Sequence, residues 1–332
     1  MKILKWSVRI VLALLSLLLF LLIAGFVYER VARHVVRNEF KPGGRLISIN
    51  GHSMHIEESG TGGPLVVFES GLDPGGDLVW GEVQHDVSRF TSTLSYDRSG
   101  IMWSDRGNTT KTADVMAGEL YSLLKASSHK GPYILVAHSL GGYITRCFVA
   151  KHPGEVAGVV LVDASHPDQF KKMPQAALAL DELPPVWLIK LASATGIVRL
   201  FLKDTYSNTV KTDSINILTN AYRSTSLAAM LEEYQQVDQS AAEAGRVTTF
   251  GNIPLIVITG SGKQRINQFP TRVMGVQVYK LWMQLQADQV RLSSRGEQVF
   301  ATRSGHYIQL EQPDVVVSAI RKMVASSSSV LK

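Results

Sequence analysis

Cysteine is almost absent from this chain: among 332 residues only Cys147 is present. No intramolecular disulfide can form, no cysteine-based zinc site exists, and the redox compartment stays open. The body of the chain also lacks an excess of cations. The formal net charge is +6, but residues 1–45 carry all of it, with eight basic side chains (Lys2, Lys5, Arg9, Arg30, Arg33, Arg37, Lys41, Arg45) against Glu29 and Glu39. The remainder balances at 26 basic and 26 acidic groups. A nucleic-acid binder would set cations across its folded body to neutralise phosphates, so nucleic acid is not an expected partner. No repeat of fixed period is found. A composition 45% hydrophobic and 19% charged argues against broad disorder. The body is long enough for one large core, or a core with an inserted cap.

Charge is missing altogether between Ile10 and Val27, a run of 18 residues whose one hydroxyl side chain is Ser16. As a helix the run would span roughly 27 Å, close to the ~30 Å hydrocarbon thickness of a bilayer. A cleaved signal peptide would have a shorter apolar region of about 7–15 residues and a small-x-small site. Here Ala24-Gly25-Phe26-Val27-Tyr28 makes a poor cleavage site. Residues 1–28 are therefore expected to be an uncleaved single-pass membrane anchor, and 29–45 a basic juxtamembrane linker. The basic nine-residue leader favours a cytoplasmic N-terminus and an extracytoplasmic body. If the helix continues past the span, Arg30, Arg33 and Arg37 share one stripe and could rest on anionic lipid head groups. A solvated basic linker is the alternative.

Beyond Pro42-Gly43-Gly44 short apolar runs alternate with helical stretches. Leu46–Asn50 and Met54–Glu58 read as a hairpin around Gly51. Leu65–Glu69, Leu94–Tyr96, Tyr133–Ala137, Val159–Val162, Leu255–Thr259 and Gln298–Ala301 read as strands. Helices are expected at Thr112–Ala126, Leu140–Lys151, Thr271–Ala287 and Asp314–Val324. Continuous apolar strands separated by helices predict a doubly wound, mostly parallel α/β sheet covered on both faces. Between Val162 and Leu255 no convincing strand occurs. This predicts a core of residues 46–165 and 252–325 interrupted by a helical cap at 166–251, with a flexible tail at 326–332.

The stretch YILVA-His138-Ser139-Leu140-Gly141-Gly142 joins a strand to a helix through a sharp turn. A serine there stands beyond the strand end, where a base can reach it, and the following helix N-terminus favours developing negative charge. With AHSLG standing for G-x-S-x-G, and Ala137 in place of the first glycine, residues 46–325 resemble the α/β-hydrolase fold superfamily. The resemblance implies Ser139 as nucleophile and an oxyanion loop at Glu69-Ser70-Gly71-Leu72-Asp73, where the N–H groups of Leu72 and Leu140 would hold an oxyanion. Ser70 stands where relatives often carry histidine. It also aligns Tyr96–Asp105 with the family's D-R-x-G-x-G-x-S-D segment, Met102 replacing a glycine, and Asp97 and Arg98 are expected to form a structural ion pair. His306, in Arg303-Ser304-Gly305-His306-Tyr307 after the last strand, is the expected base.

The acid departs from the commonest pattern. The loop after the strand that follows the cap reads Thr259-Gly260-Ser261-Gly262-Lys263-Gln264, without a carboxylate. Some relatives place the acid one strand earlier, and there Asp163 closes the run VVLV. An unpaired carboxylate would be costly to bury at that point, and an imidazole N–H would offset the cost. Asp168 and Asp288 are the alternatives. Ser139…Asp163…His306 follows the fold's chain order. His138, His52 and His55 are expected to be structural, His166 borders the cap entrance, and Cys147 reads as a packed core residue.

These residues imply a membrane-anchored serine hydrolase acting on ester, thioester or amide bonds through an acyl-enzyme. A serine counts against the superfamily's epoxide hydrolases and dehalogenases, which use Asp at this turn. No metal or organic cofactor is implied. The expected partners are a hydrophobic acyl substrate and, through the N-terminal segment, membrane lipid. Two other readings stay open: a catalytically silent hydrolase-fold binding module, and a non-hydrolytic acyltransferase or lyase of the same fold.

Overall fold

A computed structural model describes residues 2–181, 183–202 and 213–328. Eight strands form one sheet: β1 (Arg45–Ile49), β2 (His52–Ser59), β3 (Val66–Glu69), β4 (Thr93–Tyr96), β5 (Tyr133–His138), β6 (Val156–Val162), β7 (Leu255–Gly260) and β8 (Gly296–Ala301). Their order is β1-β2-β4-β3-β5-β6-β7-β8. The β1–β2 and β2–β4 pairs are antiparallel, and every later pair is parallel. The sheet is thus mixed and mostly parallel.

The continuous apolar runs follow from burial on both faces, since β3, β4, β5 and β7 are buried at every position. Successive side chains point to opposite faces, and the core divides accordingly. Val67, Leu135, Val159, Leu161 and Val257 join one cluster, whereas Val66, Phe68, Ile134, Val160 and Ile256 join the other. Helices α2 (Gly81–Val87) and α13 (Pro313–Ser328) cover the second face, while α3 (Ala113–Ala126) and α4 (Gly141–Lys151) cover the first. Helix α13 runs past residue 325, and residues 329–332 of the expected tail lie outside the described residues.

Among the described residues between β6 and β7 there are helices and no strand: α5 (Gln169–Lys172), α6 (Gln175–Leu178), α7 (Val186–Ala194), α8 (Ile197–Phe201), α9 (Asp213–Gln235) and α10 (Val237–Gly245). Residues 182 and 203–212 of the expected cap lie outside the description. After β7 come α11 (Arg272–Val290) and α12 (Ile308–Glu311).

The N-terminal helix α1 spans Lys2–Glu39, 38 residues, and by length and apolarity it could cross a membrane. It does not stop at Tyr28. No glycine pair or proline interrupts the chain before Pro42-Gly43-Gly44, so most of the segment expected to be a linker is helical. Leu22, Gly25, Glu29, Ala32 and Val36 are shielded from solvent, at alternating spacings of three and four. That period keeps one stripe of a helix against a partner, and the partner is the cap. A Cβ at Gly25 would come to 2.5 Å from the Thr195 carbonyl oxygen.

Candidate active site

Strand β5 ends at His138, and Ser139 takes the left-handed conformation with φ +49° before α4 begins. An L-residue held there is strained, and such strain persists only where surrounding contacts over-determine it. Here the Ser139 carbonyl accepts from Gly142 N–H at 3.0 Å and Ser165 N–H at 2.8 Å. The oxyanion-loop candidate packs against this turn: a Cβ at Gly71 would sit 2.8 Å from the Ser139 Cβ, so only glycine permits the approach. Ser139 keeps partial exposure.

His306 enters from the turn after β8. Its Nε2 lies 3.0 Å from Ser139 Oγ, and its Nδ1 lies 2.7 Å from Asp163 Oδ2. With Nδ1 protonated, Nε2 is free to accept the serine hydroxyl proton. The imidazole is one-third exposed while Asp163 is fully buried. Asp163 follows β6 directly, at φ +44°.

Four donors hold the Asp163 carboxylate. Oδ1 accepts from Gly260 N–H and Trp282 Nε1–H, each at 2.9 Å. Oδ2 accepts from His306 and from Arg265 Nη1 at 2.6 Å. Burial pushes this carboxyl up, but Arg265 and the hydrogen bonds from His306 and Trp282 outweigh it, so the group titrates at about 2. The Arg265 guanidinium also stacks over the Trp282 ring, 4.9 Å from its centroid. The sequence did not point to these two residues: Trp282 reads as the apolar face of a helix and Arg265 as a loop cation. The one available signal was the sign of charge after β7, where the usual acid gives way to bases. A side chain at Gly260 would also run into the Gly305 carbonyl, so the position has no room for a carboxylate.

Asp168 and Asp288 do not reach His306. Asp168 pairs with Lys172 at 3.1 Å and Asp288 with His166 at 3.1 Å. His166 is buried; its Nδ1 accepts from Asp168 N–H and its Nε2 donates to Asp288, leaving no ring nitrogen for a substrate. His138 is buried, and burial drives its pKa down to about 3. As a neutral ring it donates Nε2–H to the His306 carbonyl at 2.9 Å, fixing the backbone of the loop that carries the base.

Leu72 and Leu140 flank Ser139, and neither backbone N–H donates to a described protein group. The loop bearing Leu72 is clamped from behind. Arg98 donates to the carbonyls of Ser70 at 2.7 Å and Gly71 at 2.6 Å, and forms ion pairs with Glu69 and with Glu233 of α9, both at 2.7 Å. A trans peptide sets its N–H opposite its carbonyl. Because the Gly71 carbonyl faces Arg98, the Leu72 N–H points away from it. The expected Asp97–Arg98 pair is corrected here: Asp97 bonds to His55 Nδ1 at 3.0 Å, and Arg98 turns to the two glutamates. Burial raises Asp97 to about 7, against hydrogen bonds from the Asp77 and Trp103 N–H groups that lower it.

Among the described residues two groups bring three potential metal ligands within 4.8 Å of one another: His55–Asp77–Asp97 and Asp114–Cys147–Glu243. Neither includes Ser139, His306 or Asp163. The Cys147 thiol is buried and pushed far up by burial, which disfavours the thiolate a metal needs.

A family profile described as alpha/beta hydrolase fold matches residues 64–203. The uncharacterized protein YqjL of Bacillus subtilis (strain 168) is 25% identical over 279 residues, covering 83% of this chain and 90% of that protein. Other curated relatives are matched over smaller shares of their own length, 22% and 42% for two of them. Among solved structures, the epoxide hydrolase CorEH aligns with a TM-score of 0.62 at 19% identity, covering 85% of this chain and 98% of that one. Est816, described as an N-acyl homoserine lactone degrading enzyme, aligns with a TM-score of 0.60 at 17% identity, covering 84% and 99%. With its mostly parallel eight-stranded sheet, its matched segment and these neighbours, the chain is an α/β-hydrolase-fold protein with one long apolar N-terminal helix.

Proposed function

We propose that this protein is a serine hydrolase that cleaves carboxylic ester bonds, thioesters and amides being the chemically related alternatives. The observation that carries the reading is the unbroken line Ser139 Oγ–His306 Nε2 at 3.0 Å and His306 Nδ1–Asp163 Oδ2 at 2.7 Å. His306 takes the Ser139 proton as Oγ attacks the substrate carbonyl. Asp163 holds the ring tautomer and stabilises the imidazolium, while the N–H groups of Leu72 and Leu140 receive the oxyanion. His306 then protonates the leaving alcohol, and the acyl group stays on Ser139. Water, deprotonated by His306, attacks the acyl-enzyme and releases the acid.

Hydrolase neighbours support bond cleavage by added water in general. A serine at position 139, rather than the aspartate with which epoxide hydrolases attack, favours acyl chemistry within that class. Helix α1 is proposed as a membrane anchor with the folded body on the extracytoplasmic side, and a hydrophobic acyl compound as the substrate. The test is active-site labelling with a fluorophosphonate: the full chain should label and Ser139→Ala should not. Absence of labelling in both would overturn the enzyme reading in favour of a silent binding module. Hydrolysis across an acyl-chain-length ester panel, with competing alcohols present, separates hydrolase from acyltransferase.

A further inference from the structure

The proposed chemistry makes no use of the outer face of the cap. On α7 and α8, Trp187, Leu188, Leu191, Leu200 and Phe201 are 40–76% exposed. Exposed apolar side chains of this size grouped on consecutive helices mark an interaction surface. Residues 183–202 contain two charged side chains, and both are paired: Lys190 with Glu232 at 3.2 Å, and Arg199 with Glu29 at 2.9 Å. Among the described residues 183–202 no unpaired charge therefore interrupts the apolar face.

Its position relative to α1 identifies what covers it. The α7–α8 corner meets α1 at two close approaches: Gly25 against the Thr195 carbonyl, and Gly196 against the Tyr28 ring, where a Cβ would come to 2.8 Å. Gly25 lies two residues inside the end of the charge-free run Ile10–Val27, or about 3 Å along the helix axis. The corner is thus level with the last apolar turn of the run. Glu29, 1% exposed, then fixes the rotation of α1 on the cap, accepting from Arg199, Arg33 and Ser224.

We infer that the outer face of α7–α8 is a membrane-contact surface, seated among lipid acyl chains at the level where α1 leaves the bilayer. The inference rests on the proposed role of α1 as an anchor. A short apolar helix bearing an exposed tryptophan suits the boundary between head groups and acyl chains. The cap is then held to one leaflet twice, once through α1 and once through its own side chains.

The native cysteine simplifies the test, because Cys147 is buried with its thiol pushed up. Cysteines introduced as Trp187→Cys, Phe201→Cys and, as a water-exposed control, Arg89→Cys would each carry an NBD fluorophore on the full chain. The chains are reconstituted in phosphatidylcholine–phosphatidylglycerol vesicles. Labels at 187 and 201 should be quenched several-fold more strongly by doxyl lipids than the label at 89, and iodide should show the reverse order. Quenching of 187 and 201 by iodide alone would overturn the inference, placing the face in water. Protection from both quenchers would overturn it too, showing a second copy or another protein over the face. Flotation of the same vesicles tests the anchor separately: chains that fail to float sink the anchor and this inference together. Fluorophosphonate labelling of each variant reports on the hydrolase reading independently.

Discussion

Two buried carboxylates do contrasting work in this molecule. Asp163 and Glu29 are both almost fully buried, and each is held by an arginine and further donors. The difference lies in the remaining partner. Asp163 shares Oδ2 with a histidine that is one-third exposed and whose other ring nitrogen lies 3.0 Å from Ser139 Oγ. Among the described residues Glu29 meets two guanidiniums, Arg33 and Arg199, and the Ser224 hydroxyl. One arrangement suits proton transfer, whereas the other is a fixed clasp between α1 and the cap. The same buried carboxylate chemistry therefore meets a histidine and serine in one place and a helix clasp in the other.

Removing the charge that orients the ring should break this contrast most strongly. In Asp163→Asn the ring loses its orienting acceptor, and kcat toward a short soluble ester should fall about 10⁴-fold with the fold retained, as judged by circular dichroism. Asp288→Asn should leave kcat unchanged; a comparable loss there would relocate the acid. The next effect concerns the clasp. Glu29→Gln leaves Arg199 partly buried and unpaired, which costs about 3 kcal/mol, read as a lower thermal midpoint in detergent. The kcat on the short ester should stay within about twofold, since Glu29 does not touch the serine line.

The smallest effect is on acid stability. Asp163 titrates at about 2 in the folded chain and at about 3.9 when unfolded. Its stabilising contribution, about 2 kcal/mol, is therefore complete above pH ~4 and is lost as pH falls toward 2. Urea midpoints at pH 5 and pH 3 should show this loss in the native chain. It should shrink in Arg265→Gln, which removes the main cause of the depression, and persist in Glu29→Gln.

Much of this architecture was legible because period and punctuation carried it. Doubly buried strands announce themselves as VVF, YILVA and VVLV, and a serine between a strand and Gly-Gly announces a sharp turn. His306 stood out by its glycine-flanked loop, and Asp163 by the cost of ending an apolar strand on a carboxylate. What stayed hidden depends on contacts between distant residues. Arg265 and Trp282 reach Asp163 across 102 and 119 positions of sequence, and beyond the basic sign of the loop after β7 no local pattern marks either one. The partners of Arg98 are hidden for the same reason, because Glu233 lies 135 residues away. Helix α1 overran its expected end because the charged side chains after Val27 change solubility without breaking a helix. The short helix Gly81–Val87 was not anticipated, since two turns leave too little pattern to read.

The placement of Asp163 has a consequence for modularity. The chain leaves the sheet for the cap immediately after this residue, and the Ala164 carbonyl accepts from Gln286 and Gln289 of α11 at 2.7 and 2.9 Å. The upstream junction of the cap is thus fastened into the site. The downstream junction at Gly251 is exposed and is tied to the loop before β8, its carbonyl accepting from Ser294 N–H at 2.9 Å, rather than to the serine line. Exchanging caps between proteins of this architecture would be asymmetric: a cut near Gly251 disturbs its tie to Ser294, whereas a cut at the other end disturbs the site itself. A cap exchange that keeps Asp163, Ala164 and Ser165 with the sheet leaves the Gln286 and Gln289 hydrogen bonds in place.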